Sequence, residues 1–577
     1  MGWKLTQLLK DRLDGERGYY NYPSGVRSRF ALVYPNSYFV GMSNLGFHII
    51  YDTLNQRDDT FCERFFLPEK EEYELYEKTK TPLMSLETQT VLADFPIIGF
   101  AVSFEMDYFN ILDILRMGKV QIIAGKRGEK DPIIIAGGPC ATFNPEPLAM
   151  FVDAFIIGEG EETMQRFMDV FYEAKNEGKT RRELLGLLAN IPGVYVPSLY
   201  THCYDCLGRI ESIEPLDGVS EKVRRQWVKN LDAYPAHTVI TTNNTEFKMY
   251  LIETARGCGR HCRFCMAGYC FRKPRNRKLS QLKKELDFAK QYKMRIGLMG
   301  AAISDYPEID ELCRYIINQD MKMSVASFRA DSVTETLVDS LAASGMKTLT
   351  IAPEAGSSRM RAIINKGIEE KHIFKTIDLG LAAGIRHFRM YIMVGLPYET
   401  PEDIEEIINL VEKIRSYMQR SISSSRLTIS VNPFVPKPFT PFQWMPMADK
   451  KTIEAAFKRL RQAFKGKPDI ELLTESVKEA IIQAVLSRGD RKIGEAIWEA
   501  HEHGGKKYFK TALKTLNIDS DFYIYRERGE KEIFPWEIID VGVQRKYLFK
   551  ELQQARNEQH TLQCFEGCRR CGVCTEE

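Results

Sequence analysis

The sequence has no apolar run of the roughly 18 residues that a membrane-spanning helix requires, so no such helix is expected. Its opening, Met1-Gly2-Trp3-Lys4-Leu5-Thr6, has no apolar core of a secretory leader. A cytoplasmic location is the expectation. An excess of one charge is also lacking: Lys and Arg total 80 against 78 for Asp and Glu, which gives no overall attraction to nucleic acid or to an anionic membrane. Histidine is scarce, with 9 in 577 residues, and His48 is the only one before residue 181. Evenly scattered cysteine is absent too. Of 13 cysteines, seven fall in two short stretches. In a chain expected to stay in a reducing cytoplasm, that clustering points to metal ligands rather than disulfides. A chain this long exceeds one core, and about two to four domains are expected.

The first cysteine stretch is Glu253-Thr254-Ala255-Arg256-Gly257-Cys258-Gly259-Arg260-His261-Cys262-Arg263-Phe264-Cys265. Its core is C-x3-C-x2-C. Three thiolates can hold three corners of a 4Fe–4S cube and leave the fourth iron open to a substrate or cofactor. Zinc is an alternative, with Cys270 or His261 as fourth ligand. Inert buried thiols are a third reading, poorly matched to the arginines alongside. The second stretch is Cys564-x3-Cys568-x2-Cys571-x2-Cys574. Four thiols suffice for a second 4Fe–4S cluster or for a zinc site, and spacing does not separate the two. The pair Cys203-x2-Cys206 offers too few ligands and reads as free thiols.

Along the chain, short apolar strands alternate with helices up to about residue 175, near 29–35, 95–103, 132–136 and 152–157. That alternation argues for a parallel sheet covered on both faces. Gly137-Gly138-Pro139 and Gly158-Glu159-Gly160 follow two of these strands, where such sheets bind ligands. Residues 181–245 read as a linker. Residues 246–445 repeat strand and helix six times, with strands at 249–255, 294–299, 322–327, 347–352, 388–394 and 426–432. Six parallel units make a partial (β/α)6 barrel of the TIM type, whose chemistry sits on the loops after the strands. The first cysteine stretch opens right after the first of them. Residues 446–577 read as a mainly helical C-terminal domain with the cysteine-rich tail. Arg272-Lys273-Pro274-Arg275-Asn276-Arg277-Lys278 is a basic run, read equally as an anion site or a solvated lead-in to a helix. It leaves nucleic acid open as a partner without supporting it.

On its C-x3-C-x2-C and its flanking chain, the sequence resembles the cobalamin-binding branch of the radical S-adenosylmethionine superfamily. The segments Ala136–Pro147 and Asp153–Glu162 resemble that branch's N-terminal domain. The resemblance implies an N-terminal Rossmann-like cobalamin-binding domain over 1–180, with Gly137, Gly138, Pro139, Gly158, Glu159 and Gly160 at the cofactor. It implies a 4Fe–4S cluster on Cys258, Cys262 and Cys265 with S-adenosylmethionine on the open iron. Gly300 lies where the family has Gly-Gly-Glu; the glutamate is missing, leaving backbone carbonyls or Ser304 to serve. Ser327 and Arg329 fall where a ribose or carboxylate is bound. Glu354, in Pro353-Glu354-Ala355-Gly356-Ser357, matches an acceptor for a ribose hydroxyl or the methionine ammonium. Gly395 begins a turn like the family's adenine-binding one. The D-x-H-x-x-G motif that supplies a cobalt ligand in many corrinoid proteins is absent, so cobalamin is expected without a histidine ligand.

The implied reaction is one-electron cleavage of S-adenosylmethionine, hydrogen abstraction from an unactivated carbon, and methylation of that carbon with cobalamin. It needs no general acid or base, and no catalytic side chain is nominated. It needs an electron donor such as flavodoxin or ferredoxin. A rearrangement or reductive step without methyl transfer, or a non-catalytic corrinoid or iron–sulfur sensor, is the alternative. The sequence does not name the substrate.

Overall fold

The computed structural model describes residues 2–574 apart from Ser24 and Pro235. Positions 1, 24, 235 and 575–577 of the expected domains lie outside the described residues. The chain forms two compact units. One comprises Met1–Lys248, Val485–Ser520 and Lys531–Val541; the other comprises Met249–Ala484, Asp521–Glu530 and Gly542–Glu577. The stretch 446–577, expected as one helical domain, is thus divided between them. Among the described residues no helix is long and apolar enough to cross a membrane.

The first unit is built on six strands: β1 (Ser28–Tyr34), β2 (Thr60–Phe66), β3 (Ile97–Ala101), β4 (Ile133–Gly137), β5 (Ala154–Ile156) and β6 (Val194–Tyr195). Their order in the sheet is β2-β1-β3-β4-β5-β6, parallel except for the edge strand β6. Such strands are covered on both faces and read as continuous apolar runs. β2 departs from that rule and was passed over in the sequence, because Glu63 and Arg64 stand in its middle. Both are fully buried. Arg64 ion-pairs with Glu16 and Glu87 at 2.6 Å each, and Glu63 accepts from the hydroxyls of Ser85 and Thr88 at 2.7 and 2.6 Å. Paired charges are what make this burial tolerable. The strand order reverses between β1 and β3, and the C-terminal ends there form the crevice where doubly wound sheets bind ligands.

The expected linker is structured. A hairpin, β7 (Tyr200–Tyr204) and β8 (Ile210–Pro215), is followed by β9 (Val223–Arg224), which pairs in parallel with Ile539–Asp540. The segment after β9 then crosses the C-terminal end of β5, with Gln226 N donating to Ile157 O at 3.0 Å.

The second unit contains β10 (Met249–Glu253), β11 (Ala255–Arg256), β12 (Arg275–Asn276), β13 (Arg295–Met299), β14 (Met323–Val325), β15 (Thr348–Glu354), β16 (His387–Val394), β17 (Arg426–Pro433) and β18 (Ile470–Thr474). β10-β13-β14 form one parallel sheet and β15-β16-β17-β18 another. A parallel bridge between Phe328 and Ile351 links the two. The six expected strands all exist. β18 is an addition, lying in a stretch read as helical. Its sequence, Ile-Glu-Leu-Leu-Thr, is short and leaves Leu473 exposed, and the helices on either side dominate the pattern. Along β15 and β16 fully buried residues alternate with half-buried ones, so one face is covered and the other partly open. The helix Pro401–Ser421 starts at a capping box made by Thr400 and Asp403, with proline at its first turn.

Candidate functional site

The cysteine loop leaves the C-terminal end of β10. β11 and β12 pair antiparallel, Ala255 with Asn276 and Arg256 with Arg275, and so close its neck. Gly257 is required there. Its φ is +77°, and a Cβ would stand 2.1 Å from Phe271 O. Cys262 is buried, and Cys258 and Cys265 are half-buried. Cys265 N donates to Cys262 O at 3.0 Å, and Arg260 N to Cys258 Sγ at 3.4 Å. Burial raises the Cys258 thiol. Burial, with the neighbouring Cys262 and Cys258 sulfurs, pushes the Cys265 thiol up to about 12. The loop therefore carries thiols that give up their protons when metal binds. Among the described residues no three His, Cys, Asp or Glu side chains close tightly enough for a single metal ion. A 4Fe–4S cube, whose ligands bind separate irons, holds its thiolates farther apart than one ion does.

Buried arginines fix the loop. Arg263 donates to the carbonyls of Ala362, Ile363 and Gln559 at 2.9, 2.9 and 2.7 Å and pairs with Glu551 at 3.1 Å. Arg260 binds Asp305 at 2.7 Å and Asp331 at 3.0 Å. Burial opposes the charge on Asp305, but Arg260 holds its carboxyl below the usual range. His261, the alternative zinc ligand, shares its Nδ1 with the Tyr547 hydroxyl at 2.7 Å. Burial, reinforced by Arg272, lowers it to about 2 and keeps it neutral.

Several strand ends converge on these thiols. Arg329, after β14, places a guanidinium nitrogen 3.8 Å from Cys262 Sγ and binds Asp331 and the Lys366 carbonyl at 3.0 and 2.6 Å. Glu354 ends β15 with φ +67° at a register shift, and Lys366 Nζ reaches its Oε1 at 3.1 Å. Burial alone would lower Lys366; the Glu354 carboxylate and the Cys262 sulfur raise it above the ordinary lysine value. Lys366 was missed in the sequence, and no motif there marks it. Ser304 is buried and accepts from Arg329 N at 3.0 Å. Gly300 follows β13, where a Cβ would stand 3.1 Å from Thr254 Oγ1. Ser327 is exposed. Gly395, with φ +75°, donates its N–H to Glu399 at 2.6 Å, and burial pushes that carboxyl up to about 8.

The basic run is not a solvated patch. Arg272, Arg275 and Arg277 are buried, at 1%, 8% and 1% exposure. Arg272 donates to the carbonyls of Gly268 and Arg260, and Arg277 pairs with Glu253 at 2.5 Å. The geometry corrects the solvated part of that reading: these three arginines pack the cysteine loop, while the run leads into the helix Leu279–Ala289 and Lys278 is exposed.

In the first unit, both glycine turns lie at strand C-termini. Gly138 has φ +98°, and a Cβ there would stand 2.7 Å from Val102 O. Pro139 opens the short helix Pro139–Phe143. Gly158, with φ +107°, leaves room for Gln226 O, 2.1 Å from where its Cβ would be, and a Cβ on Gly160 would meet Ile50 at 2.7 Å. Glu159 accepts from Val228 N at 2.8 Å. This second turn is thus shaped by the chain's own segment 223–228, while Gly158 N donates to Thr142 Oγ1 at 3.1 Å and ties the two turns together. His48 is buried with Nε2 3.0 Å from Met42 O and Nδ1 accepting from Ile240 N at 3.4 Å. Burial lowers it to about 4. At the strand reversal Asn36 binds Asp107 at 2.9 Å and Asn44 binds Ser103 at 3.2 Å.

Residues 46–197 match the family model for radical SAM proteins, N-terminal, and residues 252–411 match the model for the radical SAM superfamily. An uncharacterized protein of Methanocaldococcus jannaschii is 32% identical over 471 residues, which are 81% of this chain and 89% of that one. The chain belongs to the radical SAM superfamily. A tRNA-2-methylthio-N(6)-dimethylallyladenosine synthase of Trichlorobacter lovleyi is 23% identical over 179 residues, 29% of this chain and 41% of that protein. Among solved structures, the radical S-adenosylmethionine methyltransferase TsrM of Kitasatospora setae, with cobalamin and a [4Fe-4S] cluster bound, is similar at 14% identity, 92% and 99% coverage and a TM-score of 0.46. The cobalamin-dependent radical enzyme OxsB, with aqua-cobalamin and S-adenosylmethionine bound, is similar at 14% identity, 92% and 79% coverage and a TM-score of 0.45.

Proposed function

We propose that this radical SAM enzyme binds cobalamin and methylates an unactivated carbon of its substrate. The observation that carries the radical part is the convergence of Cys262, Arg329, Lys366 and Glu354 on one loop at the end of β10. The two parallel sheets are read as a partial barrel, with this loop at its mouth. The donor set fits the implied group: three thiols on one loop, with cations packed against them. An iron–sulfur centre there supplies one-electron cleavage of S-adenosylmethionine, and a corrinoid supplies methyl transfer.

The chain's own part is binding and positioning. Cys258, Cys262 and Cys265 are the ligands. Arg329 faces the Cys262 sulfur with a guanidinium nitrogen at 3.8 Å. Lys366 orients Glu354, whose carboxylate suits a ribose hydroxyl or an ammonium. Buried arginines keep the loop closed, so the reacting groups are held in line and water is kept away. Cobalamin is assigned to the crevice of the first unit's sheet, with Gly137, Gly138 and Pro139 nearest the strand reversal. The strand order and the conformation of Gly138 support this reading. His48 has both ring nitrogens on backbone groups, which supports a corrinoid held without a histidine ligand.

The test is anaerobic reconstitution with S-adenosylmethionine and hydroxocobalamin. Release of 5′-deoxyadenosine is expected, with S-adenosylhomocysteine alongside it once substrate is present. Protein that retains no corrinoid after desalting overturns the cobalamin assignment. A first cluster whose spectrum ignores S-adenosylmethionine overturns the radical one.

A further inference from the structure

We propose that Cys564, Cys568, Cys571 and Cys574 ligate a second 4Fe–4S cluster, which relays electrons to the centre on Cys258, Cys262 and Cys265. The relay rests on the radical reading above; the ligand set stands without it.

The argument begins with what the tail buries. Cys568 and Cys571 are each 2% exposed, whereas Leu562 is 77% and Phe565 61% exposed. Hydrophobic collapse does the reverse, hiding leucine and phenylalanine first. A short segment that folds around its thiols and leaves its apolar side chains outside is organised by something that binds thiols. The backbone agrees. Gly567, directly before Cys568, has φ +77°, and Gly572, directly after Cys571, has φ +98°. These left-handed turns fold the segment back on itself and bring Cys564, Cys568 and Cys571 near one another. Two guanidinium groups complete the surroundings. Arg570 Nε lies 3.2 Å from Cys568 Sγ, and its other end holds the carbonyls of Leu562 and Gln563 at 2.8 Å each. The buried Arg272 guanidinium lies beside Cys571. Such donors suit thiolates, the form that binds metal.

Position favours iron–sulfur over zinc. Cys564 N donates to Gly259 O at 2.8 Å, so the tail's first cysteine is hydrogen-bonded to the residue after Cys258. Cys258 and Cys564 also line one cavity of about 730 Å³. A centre that must be reduced at every turnover thus has a four-thiol set at its edge. Zinc has no redox chemistry and would fill that place without using it. In the relay, a low-potential one-electron donor protein is oxidised, the tail cluster is reduced, and the electron then passes to the first centre. The tail cluster returns to its oxidised state, and no bond forms or breaks.

The experiment uses full-length protein with Cys258→Ala, Cys262→Ala and Cys265→Ala, reconstituted anaerobically with iron and sulfide and desalted. About four irons and about four sulfides per chain are expected, with a paramagnetic signal on reduction. One zinc per chain overturns the iron–sulfur assignment and the relay, and neither metal overturns the ligand set. In case that variant misfolds, Cys568→Ser with Cys571→Ser provides the reciprocal measurement. It should lower iron from about eight to about four per chain and slow 5′-deoxyadenosine formation driven by a flavodoxin-type donor by about tenfold or more. An unchanged rate overturns the relay. An iron-loaded tail in protein that never cleaves S-adenosylmethionine sinks the radical reading and the relay, and leaves the ligand set standing. Cleavage in protein whose tail holds no iron sinks the ligand set and the relay, and leaves the radical reading standing.

Discussion

Cys258, Cys262 and Cys265 sit on a loop that leaves a parallel sheet, whereas Cys564, Cys568 and Cys571 repeat the same spacing on a segment with no strand of its own. The first set is fixed by a two-strand neck and by Arg263, whose acceptors lie on Ala362, Ile363, Glu551, Gln559 and Thr561. The second is fixed by glycine turns and by hydrogen bonds to its surroundings, including one to the first loop itself. Equal spacing therefore marks the candidate ligands, and the scaffold says what a metal held there would face. One set has three thiols beside a converging group of charged side chains. The other has four and closes on itself.

The sharpest way to break this contrast is to delete the first set. Cys258→Ala with Cys262→Ala and Cys265→Ala should abolish 5′-deoxyadenosine formation, measured chromatographically. Cleavage at the normal rate would move the reaction to the tail. Next in size is Arg263→Ala. Removing one partner from a buried pair typically costs about 3–5 kcal/mol, and urea unfolding should show it; a loss below about 1 kcal/mol would mean that the neck alone holds the loop. The glycines compare directly. Gly257→Ala forces a Cβ into the Phe271 carbonyl at positive φ and should cost about 1–3 kcal/mol. Gly567→Ala has the same φ but meets nothing within 4 Å, and should cost about 1–2 kcal/mol from backbone strain alone, less than Gly257→Ala. Equal costs would remove the distinction between a packed neck and an open turn.

Two smaller effects probe the wall of the site. Glu354→Gln should weaken S-adenosylmethionine binding by about tenfold, as expected when a charged hydrogen-bond acceptor becomes neutral. Unchanged affinity by calorimetry would leave Lys366 as a structural partner only. Burial raises the Glu399 carboxyl in the folded protein from the ordinary glutamate value of 4.5 to about 8. Its contribution to stability is present below the lower value and is lost as pH rises toward the higher one. Across that window the wild type should lose up to about 1.4 kcal/mol per pH unit relative to Glu399→Gln. Parallel melting curves for the two would refute it.

Much of this was legible. The cysteine spacing, the six strands of the second unit and the start of the helix at Pro401 follow from local pattern. What was not legible depends on partners far away in sequence. β2 reads as broken because Glu63 and Arg64 interrupt it; their charge partners are Arg29, Glu16 and Glu87, with the Ser85 and Thr88 hydroxyls bound to Glu63, and nothing local announces them. Lys366 acquires its place only when the loop after β15 folds back on the cysteines. The basic run at 272–278 looked solvated because charge in a sequence carries no direction, yet Arg272 and Arg277 point into carbonyl and carboxylate acceptors.

Arg263 has a further consequence, in the order of assembly. Its carboxylate partner Glu551 lies 288 residues later in the chain, so the cysteine loop emerges from the ribosome long before the group that locks it. Until Glu551, Gln559 and Thr561 are synthesised, the nascent loop has its three ligands but lacks its latch. Iron and sulfide delivered during synthesis meet an open loop; delivered afterwards, they meet one already held from behind by the end of the chain.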